Sequence, residues 1–453
     1  MHNALSADQV LALAPDPASA KAGRGLATAQ SWVTLGRTDG AVWGECRGSA
    51  REPYRTQVDL GGPAFRCSCP SRKFPCKHAI GLLLLLAAQP GMLPTAAPPP
   101  WVEEWLESRA RSAQRRVTQQ TAPREDGPEA SRRRAAAQSR TSAAREAKVA
   151  AGLEELGRWL RDQVRQGLAA AQARPASYWS AAAARLVDAQ APGMARLVRE
   201  LAGVPSCGEG WQARLLERLG RLHLLAEGYR RIADLPPETQ ADVRAALGFT
   251  VSQEELLAAP GLRDTWLVLG QRVEEEDNLR VQRTWLWGRN TARPALVLAF
   301  AAAGQVLDKS LAPGTMLEAE LCFYPGAAPL RALVRERLGP SMPLADLPAT
   351  TAAEGTAAYA AALARNPWIE RYPLCIGPAT LARQGARWWV RDSSGRGLPL
   401  AGRFDAAWRL LALSGGQPIT LFGEWDGEEL RAVSAWVDAG FLALAVGSYN
   451  TTM

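Results

Sequence analysis

Within "FRCSCPSRKFPCKHAIGLLLLL", Phe65 to Leu86, three cysteines and one histidine fall in the pattern C-x-C-x6-C-x-H: Cys67, Cys69, Cys76 and His78. The 453-residue chain has seven cysteines and three histidines, so four of these ten residues sit in one short run. Thiolate and imidazole donors in two close pairs suit a tetrahedral Zn²⁺. Cys67 and Cys69, two apart at a strand end, share a face, and a turn there lets both sulfurs converge. Cys76 and His78 open the following helix, and Pro70 and Pro75 stiffen the loop between the pairs. Four protein donors leave no position for water, which marks the single expected zinc as structural and not hydrolytic. With three thiolates and a neutral imidazole the complex carries a net −1. Arg66, Arg72, Lys73 and Lys77 flank it. Two readings of these cations stay open: they neutralise the thiolates, or they face a phosphate backbone. A catalytic Cys/His pair would need an orienting third group, and no matching Asn or Asp context is found. A redox C-x-x-C is absent.

The elements that must hold these donors are legible nearby. "AVWGECRGS", "YRTQVDL" and "AFRCSC" read as short strands split by turns at Gly48-Ser49 and Gly61-Gly62-Pro63, and "KHAIGLLLLLAAQ" reads as a helix stopped by Pro90-Gly91. The module is thus β-β-(β)-α in about sixty residues. Such a small unit has little core, and zinc can contribute roughly 10–16 kcal/mol to its folding. Five leucines in a row, Leu82 to Leu86, cannot all face one side, so some must cover a neighbouring element or a partner. Cys46, outside the motif, reads as a buried small residue.

The C-x-C-x6-C-x-H run, with "WGECRGS" and "YRTQVDL" upstream and an apolar helix downstream, resembles the SWIM-type zinc finger. The resemblance covers residues 40–90. It implies a β-β-α fold, zinc ligands at Cys67, Cys69, Cys76 and His78, and a role in binding DNA or protein. Lys77 and Pro70 also stand where that family often has such residues. The layout of the whole chain is similar to that of bacterial SWIM-finger proteins.

The rest of the sequence bounds the function. Residues 1–25 are expected to be an N-terminal extension with little order beyond a short helix near Ser6–Leu13. Residues 26–93 form the zinc module. Residues 94–149 are a Pro/Arg/Ala-rich linker, opened by "PTAAPPPW" and a short amphipathic piece, Trp101 to Arg111. Between Arg109 and Lys148 eleven basic residues face four acidic ones, so most of the net charge of +8 belongs to this segment. A solvated spacer and non-specific phosphate contact both fit it. Residues 150–248 carry apolar residues at helical spacing, as in Leu153, Leu156, Trp159, Leu160, Val164 and Leu168, and form a helical domain. Residues 249–453 shift to period two and form an α+β domain. Its hairpin turns at Glu274–Asn278, its strands include "ALVLAFAA", "GTMLEAELCFYP", "ARWWVRDSSGRGLPL" and "ITLFGEWDGEELRAVSAWV", and helices interrupt them near Leu330–Leu338, Thr351–Ala364 and Asp405–Leu413. The fold class is therefore multidomain α+β: a small N-terminal ββα zinc module, a central helical block and a C-terminal mixed, β-rich region. The sixteen tryptophans are read as core packing, and "EEED", Glu274 to Asp277, as a solvated turn and not a metal cluster.

No G-x-S-x-G, H-E-x-x-H, P-loop or G-x-G-x-x-G after a strand occurs, and His2 and His223 are the only histidines besides His78. The expectation is a non-enzymatic interaction adaptor whose finger binds a protein partner. The alternative is a DNA-binding protein: residues 51–78 hold six basic and two acidic residues, and the Arg-rich linker follows. Against DNA, the finger's helix lacks the Arg, Asn and Gln that read base edges. No run is long enough to span a membrane, and the N-terminus lacks the charged-then-apolar pattern of a signal peptide, so a cytoplasmic protein is expected.

Overall fold

The structure, a computed structural model, describes residues 7–444 except 49–51, 61–63, 72, 122–127, 277–278, 303–304, 306, 345–346, 403 and 439. The first unit runs α1 (Ala7–Ala12), α2 (Pro17–Arg24), β1 (Trp32–Arg37), β2 (Ala41–Cys46), β3 (Tyr54–Asp59), β4 (Ala64–Cys67) and α3 (Lys77–Ala88). Its four strands form an antiparallel meander in the order β1-β2-β3-β4. The apolar α3 lies on one face of this sheet. On the far side of α3 lie α1 and α2, and the crossing of α2 is close. A Cβ on Gly23 would stand 2.5 Å from Ile80 Cγ2, and one on Gly81 would stand 2.7 Å from Leu26 Cβ. Only glycine lets the two backbones approach this far. Leu82 to Leu86 are consequently all buried: some meet the sheet, and the rest meet the N-terminal segment, where Val10 of α1 and Leu13 just after it join the same core. The covering element anticipated for the leucine run is thus the chain's own N-terminus. Residues 7–24, expected to hold little order beyond one helix, contain two helices that belong to this core.

The expected linker, after a non-helical start at residues 94–99, is helical in the rest of its described residues: α4 (Pro100–Thr121) is followed by α5 (Pro128–Gln166). The start of α4 lies across the other face of the four-stranded sheet, where Val102 and Trp105 are buried and Val102 packs with Ala41 and Trp43. The Gln57 amide donates to the Trp101 carbonyl at 3.2 Å, and Arg109 pairs with Asp59 at 3.1 Å. The C-terminal half of α5 joins α6 (Ala176–Asp188), α7 (Pro192–Glu200), α8 (Trp211–Arg230) and α9 (Pro237–Leu247) around one apolar core that includes Leu153, Trp179, Met194, Leu215 and Leu225. The residues expected at helical spacing on α5 supply that core, except that Val164 is exposed.

After α10 (Gln253–Ala258) the C-terminal region begins. It contains β5 (Leu262–Glu276), β6 (Leu279–Gly288), β7 (Pro294–Ala302), β8 (Thr315–Phe323), β9 (Arg331–Arg337) and β10 (Met342–Pro343). Then come α11 (Ala352–Arg365), β11 (Tyr372–Gln384), β12 (Arg387–Asp392), β13 (Gly397–Pro399), α12 (Ala407–Ser414), β14 (Ile419–Trp425), β15 (Leu430–Val437) and β16 (Gly440–Ala443). The first six strands are ordered β10-β8-β5-β6-β7-β9, and β9 also pairs with β8, so five of them close into a small barrel around Trp266, Val268, Leu317 and Leu321. The last six form an antiparallel sheet, β13-β12-β11-β14-β15-β16, with α11 and α12 packed on it. The outer residues of β5 and β6, Leu267, Leu269 and Trp285, pack on Cys375, Phe422 and Val433 of that sheet. Gly270 sits at this contact, because a Cβ there would come within 2.7 Å of Val433.

One expected helix is a strand. Leu330–Leu338 has the composition of a helix, but β9 forms there because it pairs with β7 on one side and β8 on the other. The expected tip at Glu274–Asn278 is a β5–β6 hairpin whose residues 277–278 lie outside the described ones. Glu274 is not solvated as expected: its side chain is largely buried among arginines.

Candidate metal centre

Two local features bring the four donors together. The last residue of β4 is Cys67, held opposite Thr56 in the β3–β4 register. The strand pairing then continues for one residue: Ser68 N donates to the Arg55 carbonyl, and Arg55 N donates to Ser68 Oγ, both at 3.0 Å. This carries the chain round so that Cys69 turns back towards Cys67. At the other end Cys76 is the N-cap residue of α3, with its carbonyl accepting from Ile80 N at 3.1 Å. His78, the second residue of α3, points its Nδ1 at the sulfurs.

The donor atoms of Cys67, Cys69, Cys76 and His78 all lie within 4.8 Å of one another. Nδ1 of His78 is 3.7 Å from Cys67 Sγ and 3.9 Å from Cys76 Sγ. A zinc tetrahedron with bonds of about 2.3 Å to sulfur and about 2.0 Å to nitrogen has edges of about 3.5–3.8 Å. The two His78 edges lie close to this spacing, and the donor set fits zinc by softness and by its convergence on one point. The cluster suits one zinc ion, with four protein side chains filling its coordination. It is the one group of three or more such donors among the described residues that meets this spacing.

The electrostatics of the cluster explain why a cation belongs there. Hydrogen bonding from Cys76 draws the Cys67 thiol down to about 4, helped by His78 and Thr56. The same bond, with burial, pushes the Cys76 thiol above its ordinary value, and burial raises Cys69. Three sulfurs this close cannot all ionise on their own, whereas a divalent ion stabilises all three thiolates together. Thr56 Oγ1 lies 3.2 Å from Cys67 Sγ and donates to the thiolate, and the Tyr54 ring stands 5.1 Å from that of His78. Neither residue was apparent in the sequence, because both depend on the strand register. Cys46 is fully buried beside the cluster, its thiol raised to about 11 chiefly by desolvation.

The flanking cations divide. Lys73 pairs with Asp16 at 2.9 Å, and Asp16 is itself the N-cap of α2, accepting from Ser19 N at 2.7 Å. The loop between the ligand pairs is thereby tied to the N-terminal helices. Arg66 and Lys77 are exposed, and Arg72 lies outside the described residues. His223 is exposed on α8, away from the metal cluster.

Comparison with known protein families matches residues 54–87 to the SWIM zinc finger. The chain carries a SWIM zinc finger. A second model, the SWIM-associated four-helix bundle domain, matches residues 144–247, from the middle of α5 to the end of α9. The finger and the bundle therefore occur in one chain in the order in which the structure displays them. No curated protein and no solved structure matches the chain significantly. Among the described residues, no helix is long and apolar enough to cross a membrane.

Proposed function

We propose that the protein is a non-enzymatic interaction adaptor in which zinc shapes the SWIM finger and the finger binds a protein partner. The observation that carries this reading is the burial of α3. Its residues from His78 to Leu86 are buried between the sheet, α1 and α2. A finger that reads base edges lays an exposed polar helix in a groove, whereas this helix is the core of its own module. Accessible features of the finger include the loop at Pro70, Ser71 and Lys73 and the outer edge of β4, which is the last strand of its sheet. An edge strand beside a rigid metal loop suits main-chain pairing with an extended peptide. The four filled donor positions argue against hydrolytic use of this zinc. None of the seven cysteines is paired in a disulfide, which fits a reducing compartment such as the cytoplasm.

DNA binding is the second reading. It is favoured by the run of eleven basic and four acidic residues in the sequence from Arg109 to Lys148. The two readings separate in solution. Affinity capture by the intact protein and by Cys76→Ser, beside electrophoretic mobility shift at 50 mM and 200 mM salt, tests both. Capture of a defined protein that is lost in Cys76→Ser, with no shift at either salt, supports the adaptor. A shift at low salt that vanishes at high salt replaces it with phosphate binding.

A further inference from the structure

Among the described residues, the seam between the barrel and the last sheet holds more positive than negative charge. Glu424 on β14 is buried, its side chain 1% exposed. It accepts from Trp285 Nε1 at 2.8 Å, from Arg283 Nε at 3.2 Å and from Arg371 Nη1 at 3.2 Å. Glu274 on β5 accepts from Arg371 Nη1 at 3.0 Å, pairs with Arg272 Nη2 at 2.8 Å, and lies 3.5 Å from Arg431 Nη1. Four guanidinium groups thus converge on two carboxylates. Strand register imposes the crowding, because Arg272 of β5 stands directly opposite Arg283 of β6, a like-charged cross-strand pair. Glu370, the neighbour of Arg371, also attracts it, but its carboxylate is itself bound by Arg196, so it offsets the excess only in part.

Arg272 shows the imbalance at one atom. Its side chain is 14% exposed, and its Nη1 is out of contact with solvent without a hydrogen-bond partner, 3.7 Å from Glu424 Oε2. Desolvation first, then the nearby Arg431, hold its pKa below the ordinary value. An excess of partly buried positive charge is costly unless an anion completes it. Arg371 and Arg431 reach solvent, at 28% and 45% exposure, and both lie beside Glu274. Planar guanidinium forks are matched to the oxygens of a tetrahedral oxyanion.

We propose that this seam is an anion site that takes a phosphate group, with Arg371 and Arg431 as its outer contacts and Arg272 as the positive charge behind them. The phosphate is either free or a monoester, and both carry the same tetrahedral dianion. The test is calorimetric titration and thermal melting of the full-length protein with inorganic phosphate and with glycerol 3-phosphate, against chloride at equal ionic strength. The expected result is near 1:1 binding and a higher melting temperature in phosphate. Affinity should fall about tenfold in Arg431→Gln, whose exposed side chain is not needed for folding, and further in Arg371→Gln. Arg387→Gln, which removes an arginine paired with Glu429 on the same sheet, should leave binding unchanged. Tighter binding of glycerol 3-phosphate than of phosphate assigns the site to esters, and the reverse assigns it to the free ion. The proposal is overturned if phosphate gives no gain over chloride, or if the gain survives Arg431→Gln and Arg371→Gln.

Discussion

At the scale of the residue, the metal centre depends on four side chains whose donors converge on one point. Replacing Cys67 or Cys76 by Ser removes a soft donor and leaves three. Zinc content, measured by elemental analysis, should fall from about one equivalent per chain to near zero in either variant. Thr56 gives a subtler test. Thr56→Val removes the hydroxyl that donates to Cys67 Sγ while keeping the shape of the side chain. It should retain the zinc but weaken its hold, by about 1 kcal/mol in a chelator competition. An unchanged affinity would mean that the hydroxyl does not stabilise the thiolate. The four ligands were legible because their spacing alone states the chemistry. Thr56 and Asp16 were not, because one acts through strand pairing and the other reaches Lys73 from more than fifty positions away. Glu274 was misjudged for the same reason: its arginine partners come from β5, from the residue preceding β11, and from β15.

At the scale of the element, composition revealed most strands and helices, and pairing decided the exceptions. "LRALVRERL" reads as a helix by residue type, yet β9 completes the barrel, and two neighbouring strands outweigh a weak local preference. β11 was missed because its middle, Ile376-Gly377-Pro378, breaks the alternation, and the structure has a register shift at that point. The crossing of α2 on α3 was equally hidden, since Gly23 and Gly81 carry no signal until the two helices meet. Gly81→Leu should force them apart. The zinc module is expected to lose about 2–3 kcal/mol, seen as a lower melting midpoint by circular dichroism. Gly157→Leu, on the open side of α5 where a Cβ meets nothing, serves as the control and should change little.

At the scale of the whole molecule, the bundle and the C-terminal region are joined through Asp242 of α9. Its carboxylate accepts from Ala327 N at 2.8 Å and from Asn366 Nδ2 at 2.9 Å, and Trp368 packs on the bundle's core. Burial pushes the Asp242 carboxyl up to about 6. The folded state therefore binds a proton more readily than the unfolded chain across the window from about 4 to about 6. Within that window Asp242 makes stability fall as pH rises, by an amount on the order of 2 kcal/mol. The difference in unfolding free energy between the wild type and Asp242→Asn, followed by denaturant titration from pH 4 to pH 7, should show this slope. Parallel curves for the two proteins would exclude it. The three-part layout was readable from the shift of period along the chain, but joints of this kind were not, because each is made by residues distant in sequence.

The start of the chain touches its far end. Gln9 on α1 donates to the carbonyl of Gly314 at 2.7 Å, and α1 rests against β16 while its other side covers the leucines of α3. Trimming the chain before Pro17 would thus strip cover from two surfaces in one cut. The leucine helix and the rim of the last sheet would both become sticky, and the shortened protein should self-associate even though every metal ligand and every barrel strand is still present.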